Sequence, residues 1–489
     1  MTETFRPAAR TPRGFIDRRA GDLRAERRII EAISAVYERY GFERLDTGAF
    51  EYADALGKFL PDSDRPNEGV FALQDDDEQW MALRYDLTAP LARFSAQFWE
   101  TLPKPFRRYA VGPVWRNEKP GPGRFREFIQ CDADTVGSAR PEADAEMIAM
   151  MAEGLEAIGL QPGQAVVKIN NRKLLNGVLG AAGVEDAGQR LAVLRAVDKL
   201  DRLGTDGVRY LLGEGRKDES GAFTPGAKLG AAAAERVLAF VAAGREDRGA
   251  TLANLANVIG GSAEGDEGLG ELNKIDAALN SLGVGSARAS FDPSIVRGLE
   301  YYTGAVFEAE LLLDTTDERG QAVRFGSVGG GGRYDDLVAR FTGERTPATG
   351  FSFGISRLAA ALRSAGRDAA GEVRGPVVVL VLDATAMEHY FAAAAELRAA
   401  GVAAEVYLGS SGMRPQMKYA DRRLAPAAVI MGGDEIAAGQ VTIKDLDQGR
   451  ILAAGITDNQ QWREDRPGQV TVARSALVET VRRIVDAAS

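Results

Sequence analysis

Extended segments rich in β-branched and aromatic residues run to about residue 171, stop, and resume at 287. Residues 172–285 between them are rich in Ala, Gly, Leu and charge, with helical spacing and no strand alternation. This break predicts a mostly antiparallel α+β domain, built from 1–171 and 286–365, that is interrupted by a helical insertion at 172–285. Within it, 22–42 carries apolar residues at helical spacing (Leu23, Ile29, Ile30, Ile33, Val36, Tyr37), and Gly41 marks its end. Residues 79–98 read as a strand entering a helix. Residues 106–118 and 126–137 read as two strands joined by a Pro/Gly loop, 141–159 as a helix and 165–170 as a strand.

Residues 363–376 have linker composition, small and charged without periodicity. Beyond them Val-Val-Val-Leu-Val-Leu (377–382), 403–408 and 427–433 alternate with helical stretches. That pattern predicts a small α/β domain with a mainly parallel sheet over 376–489. The run 440–454, QVTIKDLDQGRILAA, reads as a hairpin.

At 489 residues the chain is too long for one core. It contains one cysteine and one histidine, which excludes a disulfide framework, a histidine-based triad and cysteine- or histidine-rich metal sites; no metal-ligating residues are assigned. The chemistry must therefore run on Arg, Lys, Asp, Glu and Tyr. A net charge of −10 argues against indiscriminate nucleic-acid binding and leaves room for one specific nucleic-acid partner. No apolar run is long enough to span a bilayer, and the first residues lack a signal-peptide core, so a cytoplasmic location is expected.

No P-loop or dinucleotide fingerprint is present. Three segments carry arginines in ligand-binding surroundings. In VWRNEKPGPGRFREF (114–128), Arg116, Arg124 and Arg126 bracket a loop beside Phe125 and Phe128. Guanidinium groups on facing strands grip phosphate in bidentate fashion while an aromatic ring stacks on a base; a solvated basic hairpin is the alternative. In ATGFSFGISRL (348–358), Arg357 opens a helix, where the helix dipole disfavours a cation. An anionic ligand or a neighbouring carboxylate would account for it. In RGLEYYTG (297–304), an arginine and two tyrosines stand at the head of a strand. The run SVGGGGRYDD (327–336) reads as a place of close backbone approach, to a ligand or another strand, or as a flexible loop.

Taken together these segments resemble the class II aminoacyl-tRNA synthetases, and RGLEYYTG with GGGGRYDDL resembles their histidyl branch. The similarity extends to 416–446, which is similar to that family's anticodon-binding domain. The resemblance implies ATP-dependent activation of L-histidine and its transfer to histidine tRNA, Mg2+ held mainly by the ATP phosphates, and a homodimer with 22–50 at its interface. It implies catalytic roles for Arg116 and Arg297 at the α-phosphate, and further ATP contacts from Glu118, Arg124, Phe128 and Arg357. For histidine it implies Asp86, Thr88, Gln130, Asp134, Arg297, Tyr301, Tyr302 and Tyr334, with Asp86 and Thr88 on the ammonium group and Tyr302, Tyr334 and Asp134, with Gln130, on the imidazole ring.

The chain departs from the family pattern at several places, of which Glu300 for an aspartate and Ile129 for a histidine remove no needed group. Thr47-Gly48-Ala49 lacks a proline, Asp86 stands where a glutamate is usual, and Lys119-Pro120-Gly121-Pro122-Gly123 replaces an Arg-Pro-Gln loop, so altered acceptor-end recognition is expected. A non-catalytic histidine-sensing regulatory relative is the alternative function. It is disfavoured by the retained Arg116, Arg297 and Arg357 and by the presence of a C-terminal domain.

Overall fold

A computed structural model describes residues 7–56, 69–121, 125–217, 221–259, 261–296, 302–313, 315–316, 322–323, 326–367, 374–453 and 468–486. Arg124, Arg297 and Tyr301 lie outside the described residues. The chain forms two compact units, Met1–Ala370 and Gly371–Ser489.

The first unit is organised by an eight-stranded sheet. Its strands are β1 (Glu43–Arg44), β2 (Phe106–Trp115), β3 (Glu127–Val136), β4 (Ala165–Asn171), β5 (Ala289–Phe291), β6 (Ala305–Leu311), β7 (Ser327–Arg333) and β8 (Ala348–Gly354). The spatial order is β1-β2-β3-β8-β7-β6-β4-β5. Every pairing from β2 across to β4 is antiparallel; only the edge strands β1 and β5 pair in parallel.

Strand alternation divides the sheet into two unlike faces. Cys131 and Ala133 of β3, Phe351 and Phe353 of β8 and Phe307 of β6 enter one apolar core. There they meet α1 (Ala20–Arg39), which offers Ile29, Ile33, Val36 and Tyr37 at helical spacing, and α3 (Pro141–Ala157), which offers Met147, Met150 and Met151. Burial of each large side chain of this kind contributes about 1.5–3 kcal/mol. Gly41, at φ +79, ends the chain's turn out of α1 into β1, where an L side chain is disfavoured.

The glycine run is the middle strand of this sheet, β7, and its glycines serve both faces. A Cβ on Gly331 would overlap the Gly350 carbonyl and the Phe351 and Phe307 side chains. One on Gly329 would lie 2.8 Å from the Phe353 ring and from the Ser352 carbonyl. Gly330 faces the other way, and its added Cβ would meet nothing nearer than the Phe307 carbonyl at 3.6 Å.

A three-stranded sheet (Phe50–Tyr52, Trp80–Leu83, Ala72–Gln74) leads into α2 (Thr88–Phe98), and α4 (Ile355–Ser364) follows β8 directly. Helices Arg172–Ala181, Ala187–Val197, Leu200–Leu212, Ala231–Val241, Arg248–Ile259 and Ala263–Ser281 fill the region expected to be helical. That region also contains a short hairpin, Gly215–Lys217 with Phe223–Pro225, which is too short to show alternation in sequence.

The second unit has strands β9 (Val377–Val379), β10 (Ala404–Val406), β11 (Ala427–Ile430), β12 (Gln440–Asp445) and β13 (Gln469–Ala473) in the order β10-β9-β11-β12-β13. The sheet is mixed rather than mainly parallel: β10, β9 and β11 are parallel, and β12 and β13 are added antiparallel. The expected hairpin at 440–454 is corrected as well. After β12 the chain forms a helix, Leu446–Ala453, because Asp445 Oδ1 accepts from the Gln448 backbone N–H and caps its first turn. β12 pairs antiparallel with β11 before it and with β13, farther along the chain. Among the described residues no helix is long and apolar enough to cross a membrane.

Candidate active site

The sheet face opposite α1 and α3 carries a cavity of about 890 Å3, within the range of small-molecule sites. Its floor follows from strand register. Asp132 of β3 lies opposite Ser352 of β8, Ser352 opposite Gly330 of β7, and Gly330 opposite Glu308 of β6. All four border the cavity. The missing side chain at Gly330 keeps the middle of this row low, so a ligand can lie across the strands.

Phe128, Gln130 and Asp132 project from alternate positions of β3. The Arg116 guanidinium stands over the Phe128 ring, 5.1 Å from its centre, and Arg116 Nε donates to the Tyr85 carbonyl at 3.2 Å. The arginine is thus held where its other N–H groups can meet an anion, with an aromatic face beside it. Arg357, in the first turn of α4, borders the same space next to Gly354.

Asp86 and Thr88 enter from the start of α2. Asp86 Oδ1 accepts from the backbone N–H groups of Thr88 (3.1 Å) and Ala89 (2.9 Å), so the carboxylate is fixed by the helix it caps. Burial raises the Asp86 carboxyl above the ordinary range, while those N–H groups and Arg116 pull it back. Tyr302 also borders the cavity, and burial together with the Asp134, Asp132 and Asp86 carboxylates keeps its phenol neutral.

The structure thus brings together Arg116, Phe128, Arg357, Asp86, Thr88, Gln130 and Tyr302 among the residues expected from sequence. Three described residues from that set do not border the cavity. The Glu118 carbonyl accepts from Arg126 Nε at 3.0 Å. Asp134, 2% exposed, forms an ion pair with Arg108 (2.9 Å) and accepts a hydrogen bond from the Tyr334 hydroxyl. Asp134 lies two positions along the same face of β3 from Asp132, and Arg108 faces it in register across β2 and β3.

The cavity also has polar residues not assigned from sequence, chiefly Asp132, with Tyr85, Glu308, Ser352, Asp336 and Arg340. For Asp132 a signal existed. It lies midway between Gln130 and Asp134 at strand spacing, and the face that carries those two must carry it. Burial drives the Asp132 carboxyl up to about 8, with Arg108 pulling it down and Asp134 pushing it up.

An antiparallel sheet covered on one face by helices and open on the other, with an arginine over an aromatic ring at a strand hairpin and a second arginine at a strand-to-helix junction, defines the catalytic fold of a class II aminoacyl-tRNA synthetase. Residues 14–358 match the family profile for histidyl-tRNA synthetase, and residues 376–484 match the anticodon binding domain. The chain is 76% identical over 482 residues to the histidine--tRNA ligase of Caulobacter vibrioides, covering 98% of this chain and 97% of the other. It is 59% identical over 484 residues to that of Brucella suis biovar 1, covering 98% and 96%. Among solved structures, the histidyl-tRNA synthetase of Nostoc sp. PCC 7120 superposes with a TM-score of 0.71 at 28% identity, covering 98% of this chain and 100% of that one. The chain belongs to the histidyl-tRNA synthetase family.

Proposed function

We propose that the chain activates L-histidine with ATP, releasing pyrophosphate, and transfers the histidyl group to the 3′ end of histidine tRNA. The catalytic function follows from the family and from near-full-length identity to histidine--tRNA ligases, which set aside the regulatory alternative. The observation that carries the chemistry is one continuous cavity with Arg116, Phe128 and Arg357 for a nucleotide and a cluster of buried hydrogen-bonding groups for a small polar substrate.

In this assignment Phe128 stacks on adenine, Arg116 grips the α-phosphate, and Arg357 and Arg124 take the outer phosphates, with Glu118 toward the adenine or the tRNA end. Magnesium arrives with the ATP phosphates. Arg297 stands across the α-phosphate from Arg116, where two cations stabilise the charge that builds as the histidine carboxylate attacks. Because the attacking carboxylate is already ionised, no protein base is required. Asp86 and Thr88 take the ammonium group; the imidazole ring falls to Tyr302, Tyr334 and Asp134, with Gln130, and Tyr301 belongs to the same histidine site. A buried set of hydrogen-bonding groups rejects apolar rivals that leave it unpaired.

Residues 172–285 form the insertion and 376–489 the anticodon-binding domain in this scheme. Two copies associate through 22–50 in the cytoplasm.

The test is amino-acid-dependent ATP–pyrophosphate exchange, measured with histidine and with the other amino acids. Exchange with histidine alone, abolished in Arg297→Ala, is expected. Histidine binding without exchange would overturn the catalytic assignment.

A further inference from the structure

Behind the cavity, on the helix-covered face of the sheet, a buried carboxylate stands between the two arginine elements. Glu26 of α1 is 5% exposed. Its Oε2 accepts from Arg18 Nη1 at 3.0 Å, and its Oε1 accepts from the Ser356 hydroxyl at 2.8 Å. The Ser356 oxygen in turn accepts from the Ile129 backbone N–H at 3.4 Å. Arg18 reaches on to Glu127 through Nη2 at 3.4 Å, and Glu127 Oε2 accepts from the Trp115 indole N–H at 2.8 Å. The result is one polar strap that runs from the end of β2, across the start of β3, to the first turn of α4.

Each residue of β2, β3 and α4 that the strap holds is the chain neighbour of a cavity residue. Trp115 precedes Arg116, Glu127 precedes Phe128, Ile129 lies between Phe128 and Gln130, and Ser356 precedes Arg357. On β3, alternation sends Phe128 and Gln130 to the cavity while Ile129 packs on the core beside α1. Restraint applied at the back of the sheet is therefore felt at the front. Arg116 follows β2 and Arg357 follows β8, strands that flank β3 and share no ladder, so no backbone pairing joins the two arginines directly. A buried carboxylate is weak evidence of a gain in stability, because its desolvation offsets its pairing. Here its two oxygens are taken by groups from different elements, which is a use in registration.

On the reading that this cavity takes ATP, we infer that Glu26 is a positioning residue for the nucleotide. From outside the cavity it sets the spacing of Arg116 and Phe128 against Arg357, through Arg18 and Glu127 on one side and Ser356 on the other. Glu26 does not itself border the cavity. A second tie between the same two helices, Arg363 to Asp22 at 2.7 Å, is solvent-exposed at 52% and 40% and holds no neighbour of a cavity residue. The groups assigned to the histidine ammonium are fixed separately, by the first turn of α2. Loss of the strap should therefore be felt at the nucleotide and not at the amino acid.

The experiment measures ATP affinity directly, as Kd by isothermal titration calorimetry, beside the KM for ATP and for histidine in pyrophosphate exchange. In Glu26→Ala, both ATP constants should rise about tenfold, within the roughly hundredfold that a misplacement of about 1 Å can cost, while the KM for histidine changes less than about twofold. Glu26→Gln still accepts from Ser356 but no longer pairs with Arg18. It should give a smaller rise of the same kind, and it serves if the alanine variant does not fold. Ser356→Ala should reproduce the effect, and the double variant should be no worse than Glu26→Ala alone, because both substitutions cut one link. Arg363→Ala should leave all three constants unchanged. Unchanged ATP constants in the Glu26 variants, or equal rises for ATP and histidine, would leave Glu26 a role in stability alone and overturn the inference. So would additive losses in the double variant, or an equal ATP loss in Arg363→Ala. Wild-type protein that binds ATP but exchanges with no amino acid would instead sink the activation reading, and the calorimetric comparison would still decide the role of Glu26.

Discussion

The sheets of the two units bury their interiors in different ways. In the C-terminal unit, β9 and β11 are apolar throughout (Val377–Val379, Ala427–Ile430), and the buried polar side chains among the described residues are Gln416, Thr442 and Thr480. These are neutral, and the two whose partners are clearest are satisfied locally. Gln416 exchanges hydrogen bonds with both backbone groups of Val381, and the Thr442 and Thr471 hydroxyls pair at 2.8 Å. The catalytic sheet buries Arg108, Asp132 and Asp134 on one face. Buried charge is rarely a gain in stability. Its presence in one sheet and absence from the other separates a surface built to bind a polar small molecule from a sheet that serves as scaffold.

Removing the counter-charge tests this contrast most severely. Arg108→Ala leaves Asp134 buried without its ion pair and takes from Asp132 the cation that lowers its pKa. The loss expected is about 3–5 kcal/mol, read as the urea midpoint of the first transition. An unchanged midpoint would mean that water or a rearranged side chain replaces the arginine.

The two sides of β7 offer the next test. Gly331→Ala drives a methyl into the Gly350 carbonyl and should cost about 1–3 kcal/mol. Gly330→Ala faces the cavity floor, and its expected signature is a raised KM in pyrophosphate exchange with melting temperature nearly unchanged. Similar effects from both substitutions would mean that the two faces of the strand are not distinct.

A smaller effect is expected in the scaffold sheet. Val429, fully buried in β11, loses about 1–2 kcal/mol as Val429→Ala. Histidine-dependent exchange should be retained while tRNA charging falls on warming. Loss of exchange at low temperature would show that the units are not independent in catalysis.

The smallest effect concerns pH. The Asp132 carboxyl titrates near 8 in the folded chain, against about 3.9 for an ordinary aspartate. Folding therefore takes up a proton between those values, and stability declines as pH rises through that window. Asp132→Asn removes the titration, so its melting temperature should exceed that of the wild type by more at pH 8 than at pH 5, by about a few degrees at most. A difference independent of pH would mean that Asp132 is ionised throughout.

Much of this was legible in the sequence because it depends on short-range pattern. The alternation of β3 puts Phe128, Gln130, Asp132 and Asp134 on one face wherever the strand sits. The helical spacing of α1, the arginine hairpin, the glycine strand and the arginine that opens α4 likewise need only neighbours within a turn or two. What failed was also local. The Asp-Gln-Gly after β12 has turn residues, yet Asp445 uses its side chain to start a helix, and nothing in the sequence says which of two compatible hydrogen bonds will form.

The sequence by itself determined the class of sheet, the face on which its chemistry stands and the kinds of side chain available there. It did not determine which partners the carboxylates on that face find. That depends on Arg108, brought opposite Asp134 by strand pairing, and on the Tyr334 hydroxyl, supplied from 200 residues away. Those partners come from elements far apart in the chain, so only the tertiary structure distinguished Asp132, which borders the cavity, from Asp134, which does not.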